Sequence, residues 1–206
     1  MRRLLILAAV AAIGASTAVA LAVSAPAKTR AEGDSLQQAA NTATASHLTA
    51  DIVAARLATS KYATSLARAK ADGYGIITRM IPNMGYHFLN PKVTGFDVRK
   101  PPILVYEHHG NVWQLAALEW VFTTVPKKPP LPGARYGVFG AACHYVDGTF
   151  VFANTQSNCP AKSPQTGAAF NFWHPRLITL HFWIWYPNPS GVYIGYNPTV
   201  APFNRG

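Results

Sequence analysis

The chain has 206 residues, of which 50% are apolar, 12% aromatic and only 13% charged. This composition excludes a disordered or fibrous protein, and the length excludes a large multidomain enzyme. The 18 basic and 8 acidic residues give a net charge of +10, which suits an anionic partner such as a component of the cell envelope. Because the basic residues are scattered singly and form no dense stripe, nucleic acid is not expected as a partner.

The N-terminus has the pattern of a secretory signal peptide. Two arginines precede an apolar run from Leu4 to Val23, which ends in small residues. We therefore predict a signal peptide over residues 1–27, a polar linker over residues 28–34 and a single domain over residues 35–206. An uncleaved membrane anchor is the alternative, because about 20 apolar residues can just span a bilayer. The expected location is outside the cytoplasm, either secreted or in the cell envelope.

An alanine-rich segment over residues 34–72 has helical periodicity. Its apolar residues recur at steps of three and four, so they share one helical face. The residues on this face are Leu48, Ile52, Ala55, Thr59, Tyr62, Leu66 and Ala69. We predict a helix that covers the rest of the domain and stops at Gly73. Val53 and Leu57 lie off the stripe, which indicates either a break near Thr49 or a second contact surface.

Beyond Tyr74 the pattern changes to that of β-strands. Residues 103–107 and 113–124 are typical of two strands joined by a turn at residues 108–111. Shorter strand-like segments occur at residues 136–139, 149–153 and 177–186. Together with the helix, these strands predict an α+β fold in which a long N-terminal helical segment packs on a bent antiparallel sheet.

The two cysteines of the chain, Cys143 and Cys159, are predicted to form a disulfide bond. They bracket a segment that contains a turn at Asp147-Gly148 followed by a short strand. Closing a loop of about 16 residues should stabilise the fold by roughly 3 kcal/mol. The alternative, a thiol metal ligand or nucleophile, lacks the Cys-x-x-Cys spacing that such sites often have.

Several common catalytic motifs are absent from the sequence. There is no Gly-x-x-x-x-Gly-Lys-Ser/Thr phosphate loop, no His-Glu-x-x-His metalloprotease motif and no Gly-x-Ser-x-Gly nucleophile elbow. The paired carboxylates of a glycosidase have few candidates, because acidic residues are scarce in the β part. The candidate functional residues must therefore be argued one by one from their surroundings.

Glu119 is the strongest candidate, because it lies in a predicted strand that is apolar on both alternating faces. It is expected to share one face with Leu115, Ala117 and Val121 and to be buried there. A buried, unpaired carboxylate costs on the order of several kcal/mol, so it needs a cation, a proton or a metal ion beside it.

Two histidines are the expected partners of Glu119. His181 lies inside the apolar segment 178–186, on the face predicted to carry Thr179, Trp183 and Trp185, and His87 follows a glycine-containing turn. We predict that Glu119 and His181 approach each other in the core, with His87 at the rim of the same pocket. A hydrogen-bonded His–Glu or Glu–Arg pair that only satisfies buried groups is the alternative.

Imidazole and carboxylate groups together form a common ligand set for divalent ions such as Zn, Mn, Fe and Cu. A divalent metal ion is therefore the expected cofactor if these three side chains converge. Glu107, His109 and His174 are weaker candidates, as is His144, which stands beside a cysteine.

These observations are compatible with three functions. The first is an exported globular protein that binds a small ligand or a metal ion at a His/Glu pocket. The second is a metal-dependent enzyme that uses the same residues. The third is a module that binds a cell-envelope polymer through its basic charge and through exposed aromatic side chains, which are abundant in residues 182–196.

Three motifs of the chain resemble those of a group of uncharacterised secreted bacterial proteins. They are Met84-Gly85-Tyr86-His87, Leu118-Glu119-Trp120-Val121 and the sequence LHFWIWYPNPSG that begins at Leu180. The resemblance extends from about residue 70 to the C-terminus. It implies secretion and a shared fold, and it implies no particular activity.

Overall fold

The computed structural model describes residues 27–203, so residues 1–26 of the predicted signal peptide lie outside the described part. A compact unit begins at Ala40, and every strand of the structure belongs to it. Within the described residues, no helix is both long enough and apolar enough to cross a membrane.

The predicted helical segment consists of three pieces. Helix α1 spans Ala27–Thr59, a 3-10 turn spans Ser60–Tyr62 and helix α2 spans Leu66–Ala71. The Ser65 side chain accepts a hydrogen bond from the Arg68 backbone N–H and so caps the start of α2. The predicted stop at Gly73 is confirmed by its φ of 101°, a left-handed conformation that glycine adopts without strain.

Two details of the helix differ from the sequence analysis. Residues 28–34, expected as a linker, belong to the first turns of α1. Lysine, arginine, alanine and glutamate in this stretch are good helix formers. The helix is not broken near Thr49, and the side chains of Val53 and Leu57 are 51% and 74% exposed. These two residues therefore lie on the solvent side of α1.

Nine strands follow in the described part of the chain. They are β1 (Gly75–Ile81), β2 (Gly85–Leu89), β3 (Ile103–His109), β4 (Val112–Phe122), β5 (Gly137–Phe139), β6 (Ala142–Tyr145), β7 (Phe150–Phe152), β8 (Phe170–His174) and β9 (Leu177–Phe182). A curled six-stranded sheet has the order β1-β2-β3-β4-β9-β5, and a three-stranded sheet has the order β7-β6-β8. All strand pairs within these sheets are antiparallel. The predicted α+β fold is confirmed.

A β-bulge in β4 decides which residues share a face of the six-stranded sheet. Val105 of β3 pairs with Ala117 and Tyr106 pairs with Leu115, so Ala116 is an extra residue without a partner on β3. The Ala116 carbonyl instead accepts two backbone hydrogen bonds from the segment that follows β9. The bulge places Leu115 on the face opposite Glu119, so the prediction that these two residues share a face is wrong.

One face of the six-stranded sheet is covered by the helices. Tyr62 and Leu66 from the helical segment pack in one buried cluster with Tyr106, Trp120 and other sheet residues. This burial of apolar side chains accounts for the stripe predicted from the sequence. Because the helices occupy this face, the opposite face of the sheet is left to form a pocket.

The three-stranded sheet attaches to both edge strands of the six-stranded sheet. At the β1 edge, the backbone N–H of Arg79 donates to the Gly148 carbonyl at 2.7 Å. At the β5 edge, the ring of Phe139 lies 5.4 Å from the Phe150 ring and 5.6 Å from the His174 ring, measured between centroids. The smaller sheet therefore faces the side of the larger sheet that the helices leave free.

The predicted disulfide bond between Cys143 and Cys159 is confirmed. Cys143 is buried on β6, and Cys159 follows a 3-10 turn at Gln156–Asn158. A disulfide is consistent with a protein that folds in an oxidising compartment outside the cytoplasm.

We expect the double variant Cys143→Ser/Cys159→Ser to lose about 2–4 kcal/mol of unfolding free energy, because the unfolded chain gains the freedom of an open loop. Urea denaturation of the oxidised wild type and the double variant measures this difference. A reducing agent should shift the wild-type midpoint and leave the variant's midpoint unchanged. Equal midpoints for the two oxidised proteins would contradict the prediction.

Candidate metal centre

Glu119 and His181 face each other across two neighbouring strands. They are direct partners in the antiparallel register of β4 and β9, so both side chains point to the same face of the sheet. The His181 Nε2 atom lies 3.7 Å from Glu119 Oε1, and both side chains are buried. This separation is longer than a hydrogen bond, and His181 Nε2 has no hydrogen-bond partner among the described residues.

His87 completes the group from strand β2. Its Nε2 atom lies 3.5 Å from Glu119 Oε2, and its side chain is as deeply buried as the other two. His87 follows the predicted turn, which ends at Met84, but it lies inside β2 opposite Val105 of β3, so the prediction that it lies at the pocket rim is wrong. One ligand atom from each of the three residues lies within 4.8 Å of the others, close enough to hold a metal ion.

A hydrogen bond to Thr78 orients the His87 ring. Thr78 lies on β1, and its Oγ1 atom is 2.7 Å from His87 Nδ1. The same oxygen accepts a hydrogen bond from the His87 backbone N–H at 3.2 Å. When Nδ1–H donates to Thr78, the lone pair of Nε2 is free and points toward Glu119. The sequence did not indicate a role for Thr78, because a single threonine in a strand does not show which side chain it will contact.

Burial sets the protonation states of this group. Burial away from water lowers the pKa of His87 to about 3 and that of His181 to about 4, so both imidazoles are neutral at pH 7. For His87, the nearby His181 and His144 lower the pKa further. Burial also raises the pKa of Glu119 to about 8.

No cationic side chain compensates the charge of Glu119. Among the described residues, the ion pairs of lysine and arginine are Lys61–Asp72 and Arg79–Asp147, both at the surface. No lysine or arginine within residues 27–203 lines the pocket around Glu119. The Glu–Arg alternative is therefore not what the structure contains. The carboxyl group must carry a proton or bind a cation that the chain does not itself supply.

The three residues open onto a pocket of about 320 Å³ between the two sheets. Most of its lining is apolar, including Ile77, Leu89, Val121, Val138 and Phe172. Pockets of this kind, with a few convergent polar groups, are the usual form of a small-molecule site.

The weaker candidates do not join this group. Glu107 is buried at the other end of β3, where burial raises its pKa to about 7 and its Oε2 atom has no hydrogen-bond partner in the described chain. His109 is exposed, and its ring contacts that of Phe203. His174 lines the same pocket from β8, where it meets His144 of β6.

The two tryptophans predicted on the His181 face point in different directions. Trp183 stacks on His181 with ring centroids 6.1 Å apart. Trp185 lies beyond the end of β9, and its Nε1–H donates to Thr59 Oγ1 on the helix side at 3.0 Å. The prediction for Trp185 is wrong because the strand ends at Phe182, and residue alternation ends with it.

Comparison with protein-family models, with curated proteins and with solved structures found no match for this chain.

The pKa shifts predict that the metal-free protein is most stable near pH 6.5. His87, His144 and His181 have lowered pKa values in the folded chain, so stability should fall as the pH drops from about 6.5 toward 4. Glu119 and Glu107 have raised pKa values, so they lower the stability of the folded chain as the pH rises. This loss begins at about pH 4.5 and continues to about pH 7 for Glu107 and to about pH 8 for Glu119. Below pH 6.5 the effect of the three histidines on stability is larger than that of the two carboxyl groups. Above pH 6.5, of these five groups, only the carboxyl groups change the stability.

Melting temperatures of chelator-treated protein between pH 4 and pH 9 test this maximum. The variant Glu119→Gln should keep the loss of stability on the acid side, because the histidines are unchanged. It should lose the decline between about pH 7 and pH 8, since the remaining carboxyl of Glu107 titrates below that range. An alkaline decline that persists in the variant would contradict the assignment to Glu119.

Proposed function

We propose that this is an exported protein that binds a divalent transition-metal ion through His87, Glu119 and His181. The observation that carries the proposal is a buried carboxyl group with two neutral imidazoles beside it and no lysine or arginine of residues 27–203 lining its pocket. A divalent ion at this point would supply the missing positive charge and would accept all three free electron pairs. Each of the three motifs that resemble the secreted bacterial group contributes one of these residues, and we propose that the group shares the site.

The spacing of the donor atoms supports a metal ion. Two ligands at the tetrahedral angle around an ion about 2.1 Å away are about 3.4 Å apart. The separations of 3.5 and 3.7 Å between the imidazole nitrogens and the Glu119 oxygens are close to this value. Two histidines and one carboxylate are a ligand set used by zinc and by non-haem iron, and both ions keep coordination positions open in such sites.

The hydrogen bond between His87 and Thr78 supports the same assignment. A histidine that binds a metal through one ring nitrogen usually donates its other N–H to a neighbouring oxygen, which fixes the ring orientation. Thr78 Oγ1 is placed to accept this bond.

We propose further that the natural ligand of the pocket is a small, largely apolar molecule with one metal-binding oxygen group. The three protein ligands come from one face of the six-stranded sheet, so the remaining positions of an ion face the pocket. The apolar lining would then hold the rest of the molecule by burial of its surface.

A metal-dependent enzyme is the second candidate, and the open positions favour it over a purely structural ion. A structural zinc site is closed by four protein ligands, whereas a catalytic site keeps a position for water or substrate. Binding of an envelope polymer on exposed aromatic rings has less support, because all five tryptophans are buried or half-buried.

We expect Glu119→Gln to weaken Zn²⁺ binding at this centre by at least about 100-fold, because the only anionic ligand is lost. Isothermal titration with Zn²⁺ on chelator-treated protein measures the affinity. Glu107→Gln is the matched control, since it makes the same change at another buried carboxyl outside the group. Unchanged Zn²⁺ affinity in the Glu119 variant, or equal loss in both variants, would refute the proposed centre.

Substitution with Co²⁺ tests whether the bound ion keeps an open position. We expect the visible absorption bands of the Co²⁺ protein to shift when acetohydroxamate is added, because this probe would replace solvent on the metal. Glu119→Gln protein treated in the same way is the control for free Co²⁺ in solution. A Co²⁺ spectrum that does not change at saturating probe would indicate a closed, structural ion and would exclude the enzyme.

A further inference from the structure

A second pair of histidines lies on the opposite wall of the pocket. His144 is on β6 and His174 is at the end of β8, and their Nε2 atoms are 3.0 Å apart. Both residues line the pocket, but they do not belong to the group formed by His87, Glu119 and His181. The two pairs therefore come from different sheets.

Backbone carbonyls determine which ring nitrogens carry hydrogen in this pair. His144 Nδ1 lies 2.7 Å from the Ile77 carbonyl oxygen, and His174 Nδ1 lies 2.7 Å from the Pro175 carbonyl oxygen. A carbonyl can only accept a hydrogen bond, so both Nδ1 atoms must be donors. In the neutral rings both Nε2 atoms then present lone pairs, and these lone pairs face each other.

Two lone pairs at this distance repel unless a positive species lies beside both of them. Neighbouring aromatic rings hold the His144 ring in place. It stacks on Phe172 with ring centroids 4.7 Å apart, and its centroid lies 6.3 Å from that of Phe139. Of the described residues, no lysine or arginine lines the pocket here either. The arrangement matches that of two metal-bound histidines, each oriented by a carbonyl on its second nitrogen.

We propose that His144 and His174 form a second binding site for a transition-metal ion, independent of the site at Glu119. An ion about 2.05 Å from both Nε2 atoms would make an N–metal–N angle of about 95°. Ligands near 90° suit Cu²⁺ or Ni²⁺, which favour square or octahedral arrangements and bind imidazole strongly. The pocket leaves room for water or a small ligand to complete the coordination.

The number of ions bound per chain tests this site separately from the first. We expect equilibrium dialysis against Cu²⁺, followed by metal analysis, to find two ions on the wild type. Glu119→Gln and His174→Phe should each retain one ion, and the combined variant should retain none. His108→Phe is the control, because His108 stacks on Trp113 outside the pocket and should leave both ions bound.

Two results would overturn the second site while leaving the first intact. One is a single ion on the wild type that Glu119→Gln removes and His174→Phe does not. The other concerns protein saturated with Zn²⁺ in the absence of Cu²⁺. If its NMR spectra show a proton shared between the two rings in an N–H···N hydrogen bond, and no second ion is bound, the site does not exist. Loss of both ions in His174→Phe would indicate one shared centre and would also contradict two sites.

If His174→Phe does not fold, the variant Glu119→Gln/His181→Phe still decides the question, because it breaks up the first group of ligands and leaves His144 and His174 facing each other. Its histidine pair is unaltered, so its Cu²⁺ electron paramagnetic resonance spectrum should show hyperfine coupling to two imidazole nitrogens. Absence of a bound Cu²⁺ signal in this folded variant would overturn the proposal.

Discussion

The buried carboxyl group of Glu119 is the constraint on which the arrangement of the pocket depends. It lies on a central strand with the helices behind the sheet, and no lysine or arginine in the part of the chain that the structure describes lines its pocket. Beside it lie two imidazoles that burial keeps neutral. A proton can neutralise the carboxyl group, whereas a metal ion would also use the lone pairs of both imidazoles.

The two faces of the six-stranded sheet have different roles, so the fold can tolerate the cost in stability of a buried polar site. The face toward the helices buries large side chains such as Trp120 and Tyr106, and this packing does not involve the polar group. The other face carries Glu119, His181 and His87 and meets the smaller sheet across the pocket. Substitutions in the polar group can therefore be studied without removing the principal apolar core.

The fold class, the disulfide and the three central site residues followed from the sequence because each rests on a local signal. Periodicity marked the helix and strands, and a lone acid in an apolar strand marked Glu119. The errors have equally local causes: the bulge at Ala116 reversed the face of Leu115, and the end of β9 redirected Trp185. The contact between His144 and His174 depends on the register between β6 and β8, which are separated by a long connection, and single-strand patterns do not specify that register.

The disulfide has a consequence for how the pocket is assembled. Cys143 directly precedes His144 on β6, so the cross-link to Cys159 also anchors one wall of the cavity. The wall that carries Glu119 is held by the hydrogen bonds of its own sheet and needs no oxidation. The two walls therefore form by different chemistry, and a chain whose cysteines are reduced has one wall without its covalent anchor. Completion of the cavity is in this way tied to the oxidation of the two cysteines.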